Sequence, residues 1–382
     1  MNTVTLPDGR RYRLRGGAQF EVPPGPPRGR IAFAAAHVVA DPAAENVPGA
    51  RAALDWDATL RFRHHLWRYG LGVAEAMDTA QRGMGLDYPA VRELIQRSAA
   101  EARAVRGRIV AGVGTDQLPP GPATLAQVAR AYHEQLEDVL TAGASPVLMC
   151  SRALAAAATG ADDYLAVYGD LISQASAPVL LHWLGPQFDP ALSGYWGSSD
   201  VDTQANTVLS LIKEHADKID GIKLSLLDAD LEVAFRRRLP DGVRMYTGDD
   251  FHYPELIGGD EHGHSDALLG VFAVIAPAAA TALLELDRGH PDRYRSIMDS
   301  TVPLARRVFW PSTQYYKTGV VFLSWLAGHQ DHFVMVGGLQ SARSAAHCAR
   351  LLELADSVGL IPDAALAAAR ARAYFTVAGV TQ

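Results

Sequence analysis

Lys223 is the residue best placed for covalent chemistry in this chain. It lies in Gly221-Ile222-Lys223-Leu224-Ser225, a short apolar stretch that reads as a buried strand. Burying a bare ammonium costs several kcal/mol unless it is paired or loses its charge. Desolvation lowers a lysine's pKa, and the neutral amine can attack a carbonyl to form a Schiff base. Only four lysines (Lys213, Lys218, Lys223 and Lys317) occur among 35 basic residues. Where charge alone is wanted the chain uses arginine, which cannot form an imine. The plainer alternative is a strand-end lysine snorkelling to solvent.

Other candidates surround it in type. His182 ends a second apolar run, Pro178–His182, and could carry protons beside a reactive lysine; the alternative is a hydrogen-bonded core histidine. Asp249 and Asp250 follow a third run and suit sugar hydroxyls or a metal, although turn formation and helix capping compete, capping most of all for Asp250. The loop Gly258–Asp266, GGDEHGHSD, brings His262 and His264 together with acidic residues, a weak metal-ligand pattern without a fixed third histidine. Arg82 and Arg152 could grip an anion by bidentate bonds. His64-His65 reads as a solvated helix pair, and Lys317, after Tyr315-Tyr316, as structural.

Elements that must position these residues alternate regularly. Apolar strands are expected at Ile31–Ala36, Gly72–Met77, Ile109–Gly112, Pro146–Cys150, Pro178–His182, Gly221–Ser225 and Val243–Thr247, with an eighth at Leu268–Phe272. Helix-period segments separate them, among them Trp56–Tyr69, Tyr88–Arg106, Leu125–Ala142, Asp162–Ser176, Ala205–Ala216 and Ala229–Arg237. Uniformly apolar strands alternating with helices indicate a parallel sheet covered on its faces, and eight of them a (β/α)8 TIM barrel. No GxGxxG follows the first strand, which weakens a dinucleotide-binding fold. Residues 1–29 read as a hairpin around Pro7-Asp8-Gly9 followed by the linker VPPGPPRG; residues 30–290 form the barrel, and residues 291–382 a helical extension packed on it.

Composition bounds the partners. With 48% hydrophobic and 20% charged residues, a large core is expected. A net charge of −7 argues against a nucleic-acid or membrane-surface partner held by bulk charge. Two cysteines, Cys150 and Cys348, give no disulfide framework and fit a reducing cytoplasm. The N-terminus lacks a signal-peptide core, and no uncharged apolar run of about 18 residues appears. A cytoplasmic homo-oligomer, dimer or tetramer, is expected.

The strand Gly221-Ile222-Lys223-Leu224-Ser225 with Asp228 resembles the lysine strand of the dihydrodipicolinate synthase / N-acetylneuraminate lyase family of class I aldolases. Val110–Gly114, Ala142-Gly143-Ala144 before Val147–Met149, Pro178–Leu181, Thr247–Asp250 and Pro277 resemble further landmarks of that family in order, over roughly Ile31–Leu326. The resemblance implies a barrel whose sixth strand carries the imine-forming lysine, here Lys223. It places His182 where the family has a proton-relaying tyrosine. Asp78-Thr79 stands where the family has two threonines that hold a carboxylate. An aspartate there would repel a carboxylate and suits hydroxyls, so this chain looks like a divergent, dihydrodipicolinate synthase-like branch.

Taken together, these readings lead us to expect a Schiff-base lyase acting beside the ketone of a small, polyhydroxylated carbonyl compound. Lys223 forms the imine, and His182 moves the proton. Asp78, Thr79 and Asp249 position hydroxyls, with Arg152 and Ser225 as further substrate-binding candidates. No organic cofactor and no metal are required. The alternatives are a dehydratase working through the same imine, a metal-dependent sugar isomerase or epimerase using His262 and His264, and a barrel that binds without catalysis.

Overall fold

The computed structural model describes residues 2–18 and 20–382. A two-stranded antiparallel hairpin comes first, β1 (Thr3–Thr5) and β2 (Arg11–Arg13), turning at Pro7-Asp8-Gly9, where Gly9 takes the left-handed conformation. The barrel strands follow: β3 (Ala32–Ala35), β4 (Gly72–Glu75), β5 (Ile109–Val113), β6 (Ser145–Leu148), β7 (Val179–Leu184), β8 (Ile219–Ser225), β9 (Arg244–Thr247) and β10 (Asp266–Leu269). All eight are parallel to their neighbours, and β10 closes on β3.

Helices between them are α1 (Trp56–Arg68), α2 (Tyr88–Val105), α3 (Leu125–Ala142), the short α4 (Arg152–Ala157), α5 (Ala161–Gln174), α6 (Val201–Glu214), α7 (Ala229–Arg236) and α8 (Tyr253–Gly258). Local chemistry fixes their ends. Asp55 caps α1 by accepting from the Ala58 N–H, and Thr124 and Gln127 close a capping box on α3. The short helix α4 lies between the expected strand and the expected helix, and Ser151 caps it by accepting from the Leu154 N–H. The eighth strand stops at Leu269 and not at Phe272, which already begins α9 (Phe272–Asp287). Pro277 lies inside α9, after a kink at Ile275, and does not open it.

Side chains alternate across β8 as a strand requires. Ile222 and Leu224 pack outward against the helices. Gly221, Lys223 and Ser225 therefore face the barrel interior, beside Leu180 and Tyr246 of the interior cluster. A Cβ on Gly221 would lie 2.7 Å from Tyr246 Cε2, so the glycine admits the tyrosine that fills the barrel beneath the lysine.

Beyond the barrel come α10 (Pro291–Val308), α11 (Tyr316–Leu326), α12 (Ala345–Val358) and α13 (Ala364–Val377). They are not a passive cover. The chain returns over the mouth before α11, and the hairpin joins their core: Val4, Leu6 and Leu14 are buried in the same cluster as Leu351, Leu352 and Phe375. Asp356 of α12 accepts from Tyr12 Oη and from the Arg15 and Gly16 N–H groups. The expected N-terminal appendage is thus part of the C-terminal helical layer.

Candidate active site

Lys223 opens into a cavity of about 330 Å³ at the C-terminal mouth of the barrel, the end where barrel enzymes hold their sites. Its polar wall is Asp78, Thr79, Lys223, Ser225, Asp250 and Tyr316; Leu184, Phe188 and Phe309 supply apolar surface. Lys223 is only 8% exposed. Burial pulls its amine below the ordinary lysine value, against the opposing pull of the Asp78 and Asp250 carboxyls.

Room for this amine depends on Gly248, just past β9. A Cβ there would stand 2.7 Å from Lys223 Cε, 2.7 Å from the Leu224 carbonyl oxygen and 2.1 Å from Ser225 Oγ. Asp78 and Thr79 enter the cavity because the chain turns sharply after β4. Ala76 takes a left-handed conformation at φ 50°, and a short 3-10 turn spans Asp78–Ala80. Beneath that turn, Arg63 of α1 makes a bidentate pair with Glu75 of β4 (both contacts 2.8 Å), and both side chains are fully buried.

The two neighbouring aspartates exchange the roles the sequence suggested. Asp249 does not line the cavity. Its carboxylate accepts from the Phe251 and His252 N–H groups at 2.8 and 3.0 Å and meets His252 Nδ1 at 2.8 Å, so it is spent on the turn before α8. Asp250 lines the cavity, accepts only from the Val271 N–H at 2.9 Å, and is pushed up to about 7, chiefly by burial. Single-residue alternation at a strand end cannot be read from two adjacent aspartates.

His182 is also placed differently. It sits beside Lys223 in the strand register, 1% exposed, but outside the cavity lining. Its Nε2 lies 3.1 Å from Ser225 Oγ, and Ser225 does line the cavity. Burial, then the Lys223 charge, push His182 well below the usual histidine range, so it is neutral. Ser225 is the hydrogen-bonded link between His182 and the cavity.

Tyr316 was not foreseen. It begins α11, far along the sequence, and its hydroxyl lies 2.8 Å from Thr79 Oγ1 across the cavity wall. Phe309 stacks on its ring at 4.4 Å between centroids. Gly270 keeps this corner open, since a Cβ there would be 3.2 Å from Tyr316 Cε2. The pair Tyr315-Tyr316 at a helix start was visible in the sequence, but nothing local tells where the chain returns.

Lys317, expected to be structural, is 3% exposed and hydrogen-bonds the Met84 thioether at 3.2 Å. Burial lowers it to about 8, with Asp78 pulling the other way. Arg152 is solvent-exposed and pairs with Asp189 at 2.5 Å, outside the cavity lining. Arg82 is spent on structure, donating to the Gly112 carbonyl at 2.6 Å and to Asp116. His262 and His264 are both exposed, His262 beside Glu261. Among the described residues no three His, Cys, Asp or Glu side chains gather as a metal-ligand group. Cys150 is a thiol pushed up to about 12 by burial. No helix among the described residues is long and apolar enough to cross a membrane.

Solved structures share this architecture. Dihydrodipicolinate synthase from Aquifex aeolicus superposes with a TM-score of 0.66 at 13% identity, over 87% of this chain and 99% of its own. A prophage protein of the dihydrodipicolinic acid synthase family from E. coli K12, YagE, in complex with pyruvate, matches with a TM-score of 0.66 at 15% identity, over 87% and 99%. The Thermotoga maritima dihydrodipicolinate synthase gives 0.65 at 13%, over 87% and 100%. Identities this low establish the fold alone. No curated protein matches the chain. A family model does, over residues 5–380, and the chain belongs to that family, described as "Protein of unknown function (DUF993)", on a dihydrodipicolinate synthase-like barrel.

Proposed function

We propose that this protein is a Schiff-base lyase that makes or breaks a carbon–carbon bond beside the ketone of a small polyhydroxylated substrate. One observation carries the reading: a lysine amine, lowered by burial, lines a cavity at the barrel mouth between two carboxyls. The neutral Lys223 amine attacks the substrate carbonyl carbon, and the carbonyl oxygen takes up a proton to give a carbinolamine. Asp250, held protonated near neutrality, supplies the proton that lets this hydroxyl leave as water, forming the imine. As the carbon–carbon bond breaks, its electron pair flows to the imine nitrogen. The departing fragment's hydroxyl proton is lost as its carbonyl forms. The Tyr316–Thr79 hydroxyl pair lies against the cavity to receive or relay it.

Asp78 favours hydroxyls over a carboxylate at the same wall, by charge repulsion and by its capacity to accept two or more hydrogen bonds. The test is a panel of keto-sugars and keto-acids assayed for cleavage and condensation, with wild type beside Lys223→Arg. A keto-sugar should turn over, and the arginine variant should fold yet lose about three orders of magnitude, roughly 4 kcal/mol of barrier. Turnover by the variant at a wild-type rate would end this reading.

A further inference from the structure

A second cluster of charge lies outside the cavity, where α10 ends and α12 begins. Arg307 sits in the last turn of α10 and Arg343 just before α12; His347 lies in the first turn of α12. Ser344 caps that helix by accepting from the His347 N–H at 3.2 Å. Buried polar atoms here lack partners: Arg307 Nε, Arg343 Nε and His347 Nε2 are all enclosed without a hydrogen bond. His347 is 4% exposed. Such orphans are uncommon in folded proteins and each costs on the order of 1–3 kcal/mol.

The surrounding charge is of one sign. Arg307 faces Arg350 and the Cys348 thiol; Arg343 faces Arg307 and Cys348; His347 faces Arg343 and Arg307. The bordering carboxylate, Glu353, is held by Arg350 at 3.3 Å and by Arg10 at 2.9 Å. Among the described residues, neither Arg307 nor Arg343 pairs with a carboxylate. Arg343 donates its terminal nitrogens to the Trp310, Pro311 and Ser312 carbonyls, which fixes it in place. Arg307 lies 5.5 Å over the ring of Trp310, which is 55% exposed. The amino end of α12 adds its own partial positive charge.

We propose that Arg307, Arg343 and His347, at the amino end of α12, form a binding site for a phosphate-type oxyanion, distinct from the barrel cavity. Arg307 comes from α10, Arg343 from the segment just before α12 and His347 from α12 itself, so nitrogens from three separate stretches of chain are available to the several oxygens of a tetrahedral oxyanion. The ligand is inorganic phosphate or the phosphoryl group of a small ester, and the chemistry recognised is the same. Chain continuity ties the site to the cavity, because Trp310 follows Phe309 of the cavity wall.

The proposal is tested by calorimetric titration of the full chain with inorganic phosphate and, separately, with glycerol phosphate, at constant ionic strength. One saturable site is expected for at least one of them. The tighter of the two identifies the source as the free ion or an ester. Among the described residues the Arg307 side chain makes no hydrogen bond, so Arg307→Met should keep its melting temperature while binding at least ten-fold more weakly. His347→Gln should also weaken binding. In wild type, phosphate should change the fluorescence of Trp310, a change absent from Trp310→Phe. Heats that do not saturate with either ligand, or equal affinity in Arg307→Met, would overturn the proposal.

Discussion

Two carboxyls stand beside Lys223, and Asp250 is the one whose proton burial retains. It holds that proton near pH 7 because burial outweighs the attraction of the lysine. As the acid in carbinolamine dehydration it works while protonated, so activity should fall as pH rises through about 7. Asp250→Asn should lower turnover by about two to four orders of magnitude and erase that basic limb from the pH–rate profile. A wild-type limb retained in the variant would assign it to another group. Gly248 offers a second residue-scale test. Gly248→Ala drives a Cβ against the Leu224 carbonyl, which cannot swing aside. It should cost about 1–3 kcal/mol of stability and, by displacing the amine, about 100-fold in turnover, measured by denaturant unfolding and steady-state rates. Lys223 stood out in the sequence by residue type and strand position, and Asp78 and Thr79 only through the resemblance at the second-strand loop; all three line the cavity. Asp250 was not legible, since two adjacent aspartates differ only in which way the chain turns.

Among elements, α11 does what barrel periodicity could not announce. The alternation of apolar strands and helix-period segments made the eight strands readable, with ends displaced by up to three residues where caps and turns decide. The C-terminal helices were readable as helices, but their docking was not, because it depends on contacts hundreds of residues apart. Tyr316 meets Thr79 across such a gap. Tyr316→Phe removes one hydroxyl and keeps the ring that stacks on Phe309. It should preserve the fold and imine trapping while slowing proton transfer by about two to four orders of magnitude. Rapid-quench kinetics separates the two steps; equal slowing of imine formation would place Tyr316 earlier in the reaction. His182, read as the direct proton carrier, stands behind Ser225, a displacement along the strand too small for sequence reasoning to resolve.

For the whole molecule, buried titratable groups set opposing pH dependences. His37, His65 and His329 cluster around Phe62 where α1 meets the C-terminal layer. Burial lowers them to about 3, 3 and 4. Their folded values lie below the unfolded one, so stability is lost as pH falls below about 6.5, when the unfolded chain takes up protons the fold refuses. Asp250, at about 7, and Glu232, at about 8, run the other way: the fold already holds their protons, so each adds stability as pH falls toward the unfolded carboxyl value. Stability should therefore decline between pH 7 and 5, less steeply than the lowered histidines, His182 among them, would make it alone. Asp250→Asn removes one opposing group and should steepen the decline by about 1.4 kcal/mol per pH unit. Urea unfolding at a series of pH values checks this, and parallel curves for variant and wild type would contradict it.

The central claim concerns which amine carries the substrate, and the barrel mouth holds two buried lysines, Lys223 and Lys317. Whole-protein borohydride reduction in the presence of a turned-over ketone, followed by peptide mass mapping, reads the answer directly. The account predicts one reduced adduct per chain on the peptide containing Lys223, none on the peptide containing Lys317, and no added mass in Lys223→Arg. An adduct on Lys317, or turnover without any trapped adduct, would contradict it.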